Sequence, residues 1–258
     1  DNNDLKVTEV FSNDYAFAAL RSDGSVVTWG GGDAYWVNRG QDSSGVDFDG
    51  DNNDLTVTKI FSPSSRGSFV ALRSDGSVVS WGNGTQGGLW DTNKIDLDGL
   101  NNDLKVAHIF STSKAHAALL SDGSVVSWGD TMKGGDSSSV DFDGDNNDLT
   151  VSQIFSTNTA FAAPRSDGSV VTWGSINGGG DINFGNGVDL DGPDNDLTVS
   201  QIFSNEYSFA ALRSDGSVVA WGGGTGSTFG GDTSSVTTQL SSGVVGFANP
   251  LPGFELAL

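Results

Sequence analysis

A ten-residue segment ending in Trp-Gly recurs five times along the chain, and it is the strongest constraint on the fold. RSDGSVVTWG occupies residues 21–30, and close copies follow at 73–82, 120–129, 165–174 and 213–222. The tryptophans of successive copies are separated by 45 to 52 residues. A repeat of this length, built from strand-like segments, is typical of propeller blades or of turns in a β array. We therefore predict an all-β repeat protein.

Each repeat contains the signals for three consecutive strands. In the second unit, the β-branched segment 55–62 predicts a first strand, and a variable connection follows it. In the first unit, the apolar segment 17–20 predicts a strand that is buried on both faces. The Asp-Gly pair after it predicts a type I′ hairpin turn, which needs positive φ at both central residues. Residues 25–30 form the return strand, and we expect a short outer strand in the Gly-rich stretch beyond it.

The repeats divide the chain into five complete units and one partial unit. We assign them to a single repeat domain, residues 1–258, with approximate unit bounds at 1–50, 51–99, 100–144, 145–192, 193–243 and 244–258. The chain opens on DNNDLKV, which matches the end of a recurring acidic loop. We therefore expect it to be a segment of a longer protein.

The repeat resembles that of the regulator of chromosome condensation (RCC) family. The resemblance is carried by the Ala-Leu before each turn, the Asp-Gly, the Val-Val pair and the Trp-Gly, and it spans essentially the whole chain. It implies a β-propeller of four-stranded blades, commonly seven, so five units and a fragment depart from that number. The family includes nucleotide exchange factors, chromatin binders and a secreted inhibitor of β-lactamase. We carry over the fold and not these activities, because no exchange loop or basic chromatin-binding feature is visible.

The charge of the chain excludes several classes of partner. The formal net charge is −21 at pH 7, and aspartate carries most of it, because glutamate occurs only at Glu9, Glu206 and Glu255. A field of this sign repels nucleic acid and anionic membranes, so we expect neither as a partner. No apolar run predicts membrane insertion. The absence of cysteine excludes disulfides and thiolate metal sites.

A twelve-residue acidic loop joins successive units and is the best candidate for a metal site. Its copies are VDFDGDNNDLTV at 46–57, IDLDGLNNDLKV at 95–106, VDFDGDNNDLTV at 140–151 and VDLDGPDNDLTV at 188–199. Counted from the first aspartate, positions 1, 3 and 8 are always Asp and position 4 is always Gly. Alternating carboxylates on a tight loop suit calcium, which takes about six to eight oxygen ligands. The loop is also similar to the calcium loops of integrin-type propeller repeats, although its last Asp falls one position earlier.

The calcium hypothesis and a purely structural alternative are both open at this point. The candidate ligands are Asp47, Asp49, Asp51, Asp54, Asp96, Asp98, Asp103, Asp141, Asp143, Asp145, Asp148, Asp189, Asp191, Asp194 and Asp196. An EF-hand is excluded, because position 12 never holds the required glutamate. The alternative is a solvated turn whose Asp and Asn side chains bond their own backbone. If metal binds, the first and third loops should bind best, because both carry Asp at position 5.

Trp36 and Trp90 lie outside the repeat consensus and are candidate partner-binding residues. Both occur in variable segments, where exposed aromatic side chains can stack on sugars or anchor a protein partner. The alternative is local packing. The five repeat tryptophans are instead expected to be packing residues. His116 replaces a repeat Phe, so we expect it to pack as well.

The sequence contains no catalytic constellation, neither a nucleophile elbow nor a phosphate loop. We therefore expect a non-enzymatic extracellular structural or interaction module, belonging to a large repetitive surface or secreted protein. Calcium is its one candidate cofactor. The expected partner is a protein, a polysaccharide or further copies of the same module. The alternative function is a soluble propeller lectin or protein inhibitor that binds through its variable loops.

Overall fold

The fold is described from a computed structural model of the chain. The residues described are 5–31, 38–50, 53–62, 67–84, 104–146, 148–182, 188–192, 196–224 and 229–246. Within them, fifteen strands form five separate three-stranded antiparallel sheets, one for each complete repeat unit. The predicted all-β repeat architecture is confirmed. Most of the partial sixth unit lies outside the described residues, and no helix in the described part is long and apolar enough to cross a membrane.

The strands of each sheet follow chain order, so the middle strand pairs with both of its neighbours. Sheet 1 contains β1 (Val7–Ser12), β2 (Ala16–Arg21) and β3 (Val26–Gly30). Sheet 2 contains β4 (Val57–Phe61), β5 (Ser68–Arg73) and β6 (Val78–Gly82). Sheet 3 contains β7 (Val106–Ser111), β8 (Ala115–Leu120) and β9 (Val125–Gly129). Sheet 4 contains β10 (Phe155–Ser156), β11 (Ala160–Pro164) and β12 (Val170–Gly174), and sheet 5 contains β13 (Val199–Ser204), β14 (Ser208–Arg213) and β15 (Val218–Gly222).

The Asp-Gly hairpin uses a different turn from the one predicted. The N–H of Arg21 donates to the Ser25 carbonyl, and the N–H of Gly24 donates to the Arg21 carbonyl, both at 2.9 Å. The loop therefore has three residues, of which only Gly24 has a positive φ, at 80°. The type I′ prediction is wrong because the Asp23 carboxylate accepts the N–H and hydroxyl of Ser25, at 3.0 and 2.6 Å. These bonds hold Asp23 outside the left-handed region and leave Gly24 alone in it.

The predicted outer strand is also wrong in unit 3, where the Gly-rich stretch 129–140 is described throughout. Residues Thr131–Lys133 and Ile176–Gly178 form single 3-10 turns instead. Each turn ends at a left-handed glycine, Gly134 with φ 95° and Gly179 with φ 91°. In the described residues, both sheets have three strands.

Consecutive sheets pack against each other through a repeated pair of rings. In sheet 2, Phe69 and Trp81 stack with their ring centroids 5.2 Å apart, and sheet 4 repeats this with Phe161 and Trp173 at 5.1 Å. All four side chains are at most 3% exposed. Each pair lies in a cluster that also contains strand residues of the preceding sheet, such as Ala18 at the first junction. The rings therefore form the core between sheets.

A hydrogen bond from three of the buried tryptophans fixes the preceding Gly-rich turn over these rings. The indole N–H of Trp81 donates to the Gly40 carbonyl at 3.1 Å. Trp173 donates to Gly134 at 3.2 Å, and Trp221 donates to Gly179 at 3.1 Å. At Gly134, a Cβ atom would lie 2.6 Å from the Phe161 ring, so the close approach requires glycine in addition to the positive φ.

Sheet 1 has the same pair of stacked rings, but in the described residues no Gly-rich turn covers them. Phe17 and Trp29 stack at 5.3 Å, yet they are 44% and 45% exposed. The prediction that the repeat tryptophans are packing residues is therefore confirmed in sheets 2 to 5, where each is at most 3% exposed, and wrong for Trp29.

His116 packs at the Phe position of sheet 3, as predicted. The ring is fully buried, 5.4 Å from the Trp128 ring. Its Nδ1 lies 2.8 Å from the Ser111 hydroxyl, and its Nε2 lies 3.2 Å from the hydroxyl of Ser68 in the preceding sheet. Burial lowers the pKa of His116 from 6.5 to about 3, because the charged imidazolium would lose its hydration.

The substitution His116→Phe is expected to make the chain more resistant to mild acid. The folded chain keeps His116 neutral down to about pH 3, whereas the unfolded chain binds a proton below about pH 6.5. Stability is therefore lost as the pH falls through this window, by up to about 1.4 kcal/mol for each pH unit. Urea unfolding of both proteins between neutral pH and about pH 5 measures the effect. The difference should grow in favour of the variant, and a constant difference would contradict this role.

Candidate functional site

The strands place the loops at two opposite ends of the sheets. The turn end carries the Asp-Gly hairpins and the acidic loops; there, the N–H of Val57 donates to the carbonyl of Gly24 in the preceding hairpin at 3.1 Å. The variable end carries the first connection of each unit and the Gly-rich turns. There, the Thr112 hydroxyl donates to the Lys133 carbonyl at 3.0 Å. The two candidate sites of the sequence, the acidic loops and the variable segments, therefore belong to different surfaces.

The acidic loops are junction elements whose apolar side chains face inward. Val140 and Phe142 pack against the core between sheets 3 and 4, and the Phe142 ring meets Trp173 edge-on at 5.2 Å. The aspartates between and after them, Asp141 and Asp143, are exposed. This alternation is that of an extended segment with one apolar and one solvated face. The loop therefore anchors one unit on the next through its apolar residues.

The aspartate at position 1 of the loop bonds its own backbone. Its Oδ1 accepts the N–H of the glycine at position 4 at 2.7 Å in each described copy, in the pairs Asp47–Gly50, Asp141–Gly144 and Asp189–Gly192. The carbonyl of Asp143, at position 3, accepts the N–H of Leu149 at 3.0 Å. These bonds are those of the solvated, self-bonded turn.

The described carboxylates do not converge on a common point. Across the described ranges, no group of three or more acidic, histidine or cysteine side chains is placed to hold a metal ion. The described candidates are all exposed, namely Asp47, Asp49, Asp54, Asp141, Asp143, Asp145, Asp148, Asp189, Asp191 and Asp196. Asp51, Asp96, Asp98, Asp103 and Asp194 lie outside the described residues. The described residues fit the self-bonded turn, and calcium binding stays a prediction.

An arginine that sequence reasoning passed over holds the acidic loop to the next hairpin. Arg165 donates through Nε to the Ser169 hydroxyl at 2.7 Å and through Nη1 to the Asp141 carbonyl at 3.3 Å. Arg213 repeats the second contact on the Asp189 carbonyl at 3.3 Å. The signal was present in the sequence, because Arg precedes Ser-Asp-Gly in four of the five repeat segments.

Many other aspartates also form turns, each by accepting hydrogen bonds from a serine two residues later. These are Asp23, Asp75, Asp122, Asp167 and Asp215 in the hairpins, and Asp42, Asp136 and Asp232 in the Gly-rich stretches. The hydrogen bond from the Ser25 hydroxyl lowers the pKa of Asp23, and that from Ser44 lowers the pKa of Asp42. Much of the acidic composition therefore reflects turn formation.

A cleft along the junction between units 3 and 4 shows no arrangement for catalysis. Its charged lining residues are Asp136, Asp141, Arg165 and Asp181, and none of the lining residues is a histidine or a cysteine. The guanidinium of Arg165 is engaged with the acidic loop. The N–H of Ser138 lowers the pKa of Asp136, so this carboxyl stays ionised at neutral pH and is a poor proton donor.

The variable end exposes apolar and aromatic side chains on the Gly-rich turns and first connections of several units. Met132, 72% exposed, and Ile176, 45% exposed, lie on the two 3-10 turns. Phe229, 47% exposed, lies 4.5 Å from the ring of Tyr207, and Tyr15 is exposed on the first connection. Exposed apolar groups that recur along one edge mark an interaction surface.

Hydrogen bonds along this edge join units 3, 4 and 5. The N–H and hydroxyl of Ser113 both donate to the Asn158 carbonyl, at 2.9 and 2.7 Å. Asn158 in turn donates through its N–H to the Glu206 carbonyl at 2.9 Å and through Nδ2 to the Glu206 carboxylate at 2.6 Å. Trp36 and Trp90, the residues first predicted to bind a partner, lie outside the described residues.

Comparison with solved structures identifies the architecture. Yeast RCC1 (Prp20), solved in complex with Kap60, matches with a TM-score of 0.51 and 20% identity, over 84% of this chain and 56% of that chain. The fold is that of a β-propeller. The five described sheets are its blades, and their number agrees with the five complete units predicted.

Two further matches have lower scores. Human WBSCR16 has a TM-score of 0.49 and 18% identity, over 84% of this chain and 62% of that chain. The ectodomain of the Physcomitrella patens receptor kinase CR4 has a TM-score of 0.45 and 16% identity, over 86% of this chain and 51% of that chain. This chain thus spans between half and two thirds of the length of these three structures. No family model and no curated protein matches its sequence.

Phe142→Ala is expected to lower the free energy of unfolding by about 1–3 kcal/mol, because it removes the half-buried ring that anchors the acidic loop on Trp173. Asp145→Asn, in the same loop, is the matched control. Its side chain is exposed, so the urea midpoint should stay unchanged in metal-free buffer. Urea denaturation followed by circular dichroism measures both variants. Similar losses in the two would show that the loop does not act through its apolar anchor.

Proposed function

We propose that the chain is a non-enzymatic interaction module of the RCC-like repeat type, and that its variable end binds a protein partner. The observation that carries the proposal is the recurrence of exposed apolar side chains, Met132, Ile176 and Phe229, on one edge of a regular scaffold. Loops held on a rigid scaffold are the usual location of binding residues. The opposite end is occupied by turns and acidic loops that bond one another.

The scaffold suits this role because blades 3, 4 and 5 are fixed to one another at both ends. The tryptophan–glycine hydrogen bonds hold the Gly-rich turns, and the arginine contacts hold the acidic loops. A binding surface that is already ordered loses little conformational entropy when a partner binds. Yeast RCC1, which has the same fold, was solved bound to the protein Kap60, and this supports a protein as the class of partner.

The side chains at the variable end favour a protein over a polysaccharide. Sugars stack on aromatic faces, whereas Met132 and Ile176 are aliphatic and suit an apolar pocket or helix of a protein. Tyr15 and Tyr207, 42% and 40% exposed, are the feature that a lectin would use. A soluble lectin or protein inhibitor acting through the same end is the second candidate function.

The proposal places the module outside the cell, in a repetitive surface or secreted protein. Its support is the near identity of the repeats, which build an extended regular surface, and a net charge of −21, which keeps such a surface soluble. The same charge disfavours nucleic acid and anionic membranes as partners.

The double variant Met132→Ser/Ile176→Ser is expected to weaken binding to a protein-array partner at least about tenfold, because exposed apolar anchors dominate such interfaces. The probes are an extracellular protein array and a glycan array, each incubated with the whole chain. Asp145→Asn, at the turn end, is the control and should retain binding. Trp36→Ala and Trp90→Ala test the residues predicted from sequence in the same assay. Hits on the glycan array alone would favour the lectin, and binding unchanged in the double variant would contradict the variable-end assignment.

Calcium stabilisation is the second part of the proposal, supported by the alternating carboxylates of the four acidic loops. Calcium at about millimolar concentration is expected to raise the melting temperature, because a ligand that binds only the folded chain stabilises it. Calorimetry in calcium and then in chelator measures the shift. Asp141→Asn should reduce it, because this residue occupies position 1 of a loop with Asp at position 5. Identical curves for the unmodified chain would remove calcium from the proposal and leave the variable end unaffected.

A further inference from the structure

The cleft between units 3 and 4 follows one edge of strand β12. Its volume is about 570 Å³, and all five residues of the strand, Val170–Gly174, line it. Successive side chains of a strand point to opposite faces of the sheet. A cleft lined by five consecutive strand residues therefore runs along the edge of the strand and not across one face. We call it the β12 groove; unit 3 forms its opposite wall through Asp136, Ser139, Val140 and Asp141.

The groove contains main-chain groups of β12 that the sheet leaves unpaired. The N–H of Arg165 donates to the Ser169 carbonyl at 2.8 Å, and the next residue pair is Pro164 with Val170. Hydrogen-bonded and non-hydrogen-bonded pairs alternate along an antiparallel ladder, so the N–H and carbonyl groups of Val170 and Thr172 point away from β11. Neither N–H has a hydrogen-bond partner within the part of the chain that the structure describes. An unpaired strand edge of this kind is a template for a further strand.

Unit 5 shows that this place on the strand accepts a main-chain partner. Val218 begins its return strand as Val170 does, and it faces Leu212 where Val170 faces Pro164. The N–H of Val218 donates to the carbonyl of Leu240 at 2.8 Å. The same donor is therefore bonded to main chain in unit 5 and remains available in unit 4.

The Gly-rich stretch of unit 4 covers one end of the groove. A Cβ atom on Gly180 would lie 2.5 Å from the carbonyl oxygen of Gly174, so the two main chains are in close contact. Ile182 and Val188 then pack against the core between sheets 4 and 5, and the N–H of Val188 donates to the Ile182 carbonyl at 3.0 Å. Residues 183–187 lie outside the described residues. A ligand would enter beside Val170 and not beside Gly174.

The charges that line the groove favour a basic ligand. Three carboxylates, those of Asp136, Asp141 and Asp181, line it together with one guanidinium, that of Arg165. The guanidinium is engaged, because Nη1 donates to the Asp141 carbonyl at 3.3 Å and lies 3.9 Å from the Asp141 carboxylate. The lining is therefore negative overall, and it attracts a lysine or arginine side chain.

We propose that the β12 groove binds an extended, basic segment of a partner protein as a fourth strand of sheet 4. The segment exchanges main-chain hydrogen bonds with Val170 and Thr172, and its basic side chains reach Asp136. In this mode of recognition, main-chain bonds provide affinity and alternate side chains provide specificity. A strand of five residues spans about 16 Å, so about five residues of the partner fill the groove. The site differs from the exposed surface at Met132 and goes beyond the proposed function.

Amide hydrogen exchange, followed by nuclear magnetic resonance, tests the free chain first. The amides of Val170 and Thr172 are expected to exchange much faster than that of Val171, which faces Ala163 in the ladder. The probe is a blocked peptide that alternates valine and lysine over about five residues. It should slow exchange at Val170 and Thr172 at least about tenfold, whereas exchange at Val218, already bonded, should stay unchanged.

The main-chain bonds are tested by two N-methylated forms of the peptide, one methylated at odd residues and the other at even residues. Alternate N–H groups of a strand point to the same side, so one form should bind at least about tenfold more weakly and the other normally. Isothermal titration calorimetry measures both affinities with the whole chain.

Val170→Pro removes the outward N–H from the chain itself and should weaken binding about tenfold. Proline is tolerated at the first residue of an edge strand, which is the place of Val170. Val26→Pro, at the same place in sheet 1, is the matched control and should bind the peptide normally. Circular dichroism checks that both variants fold.

The charge preference has its own test. A peptide with glutamate in place of lysine should bind at least about tenfold more weakly, because it meets the carboxylates of the groove. Asp136→Asn keeps an acceptor for the N–H of Ser138 and should narrow this difference. An unchanged difference would contradict the contact with Asp136.

Three outcomes would overturn the proposal. The first is slow exchange at Val170 and Thr172 in the free chain, which means that residues of the chain itself occupy the groove. The second is equal binding of both N-methylated peptides, which means that no strand is added. The third is no detectable binding of the valine–lysine peptide at about millimolar concentration. Array binding by the Val170→Pro chain would preserve the proposed function in each case.

Discussion

The hydrogen bond from a buried indole to a glycine carbonyl of the preceding unit is the contact on which the architecture depends. A three-stranded sheet with apolar residues on both faces cannot be stable alone, so each sheet needs a neighbour. The bond from Trp173 to Gly134 brings that neighbour's turn onto the Phe161 ring, and only glycine fits between them. Since stacking and the hydrogen bond use the same indole, one tryptophan sets both the spacing and the orientation of the sheets at each of the three junctions where this bond is described.

The indole–glycine contact constrains the glycine that accepts the hydrogen bond, and it leaves the residues before that glycine free to vary. Between the end of the return strand and the left-handed glycine, the intervening residues differ in length and type from unit to unit. Met132 and Ile176 lie in such stretches and are exposed. The turn end has no comparable freedom, because the hairpin, the arginine and the acidic loop contact one another. Variation is therefore concentrated on one edge.

The sequence predicted the features that follow from repeat spacing and apolar runs, and it missed those that particular side-chain contacts determine. The five units, their strands, and the packing role of His116 follow from repeat spacing and from apolar runs. The type of the hairpin turn did not follow from these patterns. It is set by the hydrogen bonds from Ser25 to Asp23, and a type I′ turn has the same Asp-Gly signature. In the acidic loop, the carboxylates were considered as metal ligands, and Phe142 was not predicted to be an anchor. The alternation of apolar and acidic residues already indicated that its side chain faces inward. The exposure of Trp29 was beyond prediction, because its local sequence equals that of Trp173 and only the neighbouring unit differs.

The identity of these local sequences shows that the neighbouring unit, and not the strand itself, decides whether a repeat tryptophan is buried. Sheet 1 keeps Phe17 and Trp29 stacked as in the interior sheets and keeps valine at Val7 and Val10. The same ten-residue segment gives a tryptophan that is 45% exposed in sheet 1 and 3% exposed in sheet 4. Burial of the ring pair therefore depends on the strand residues and the Gly-rich turn that a preceding unit supplies, as expected for an array in which each unit contacts its neighbours.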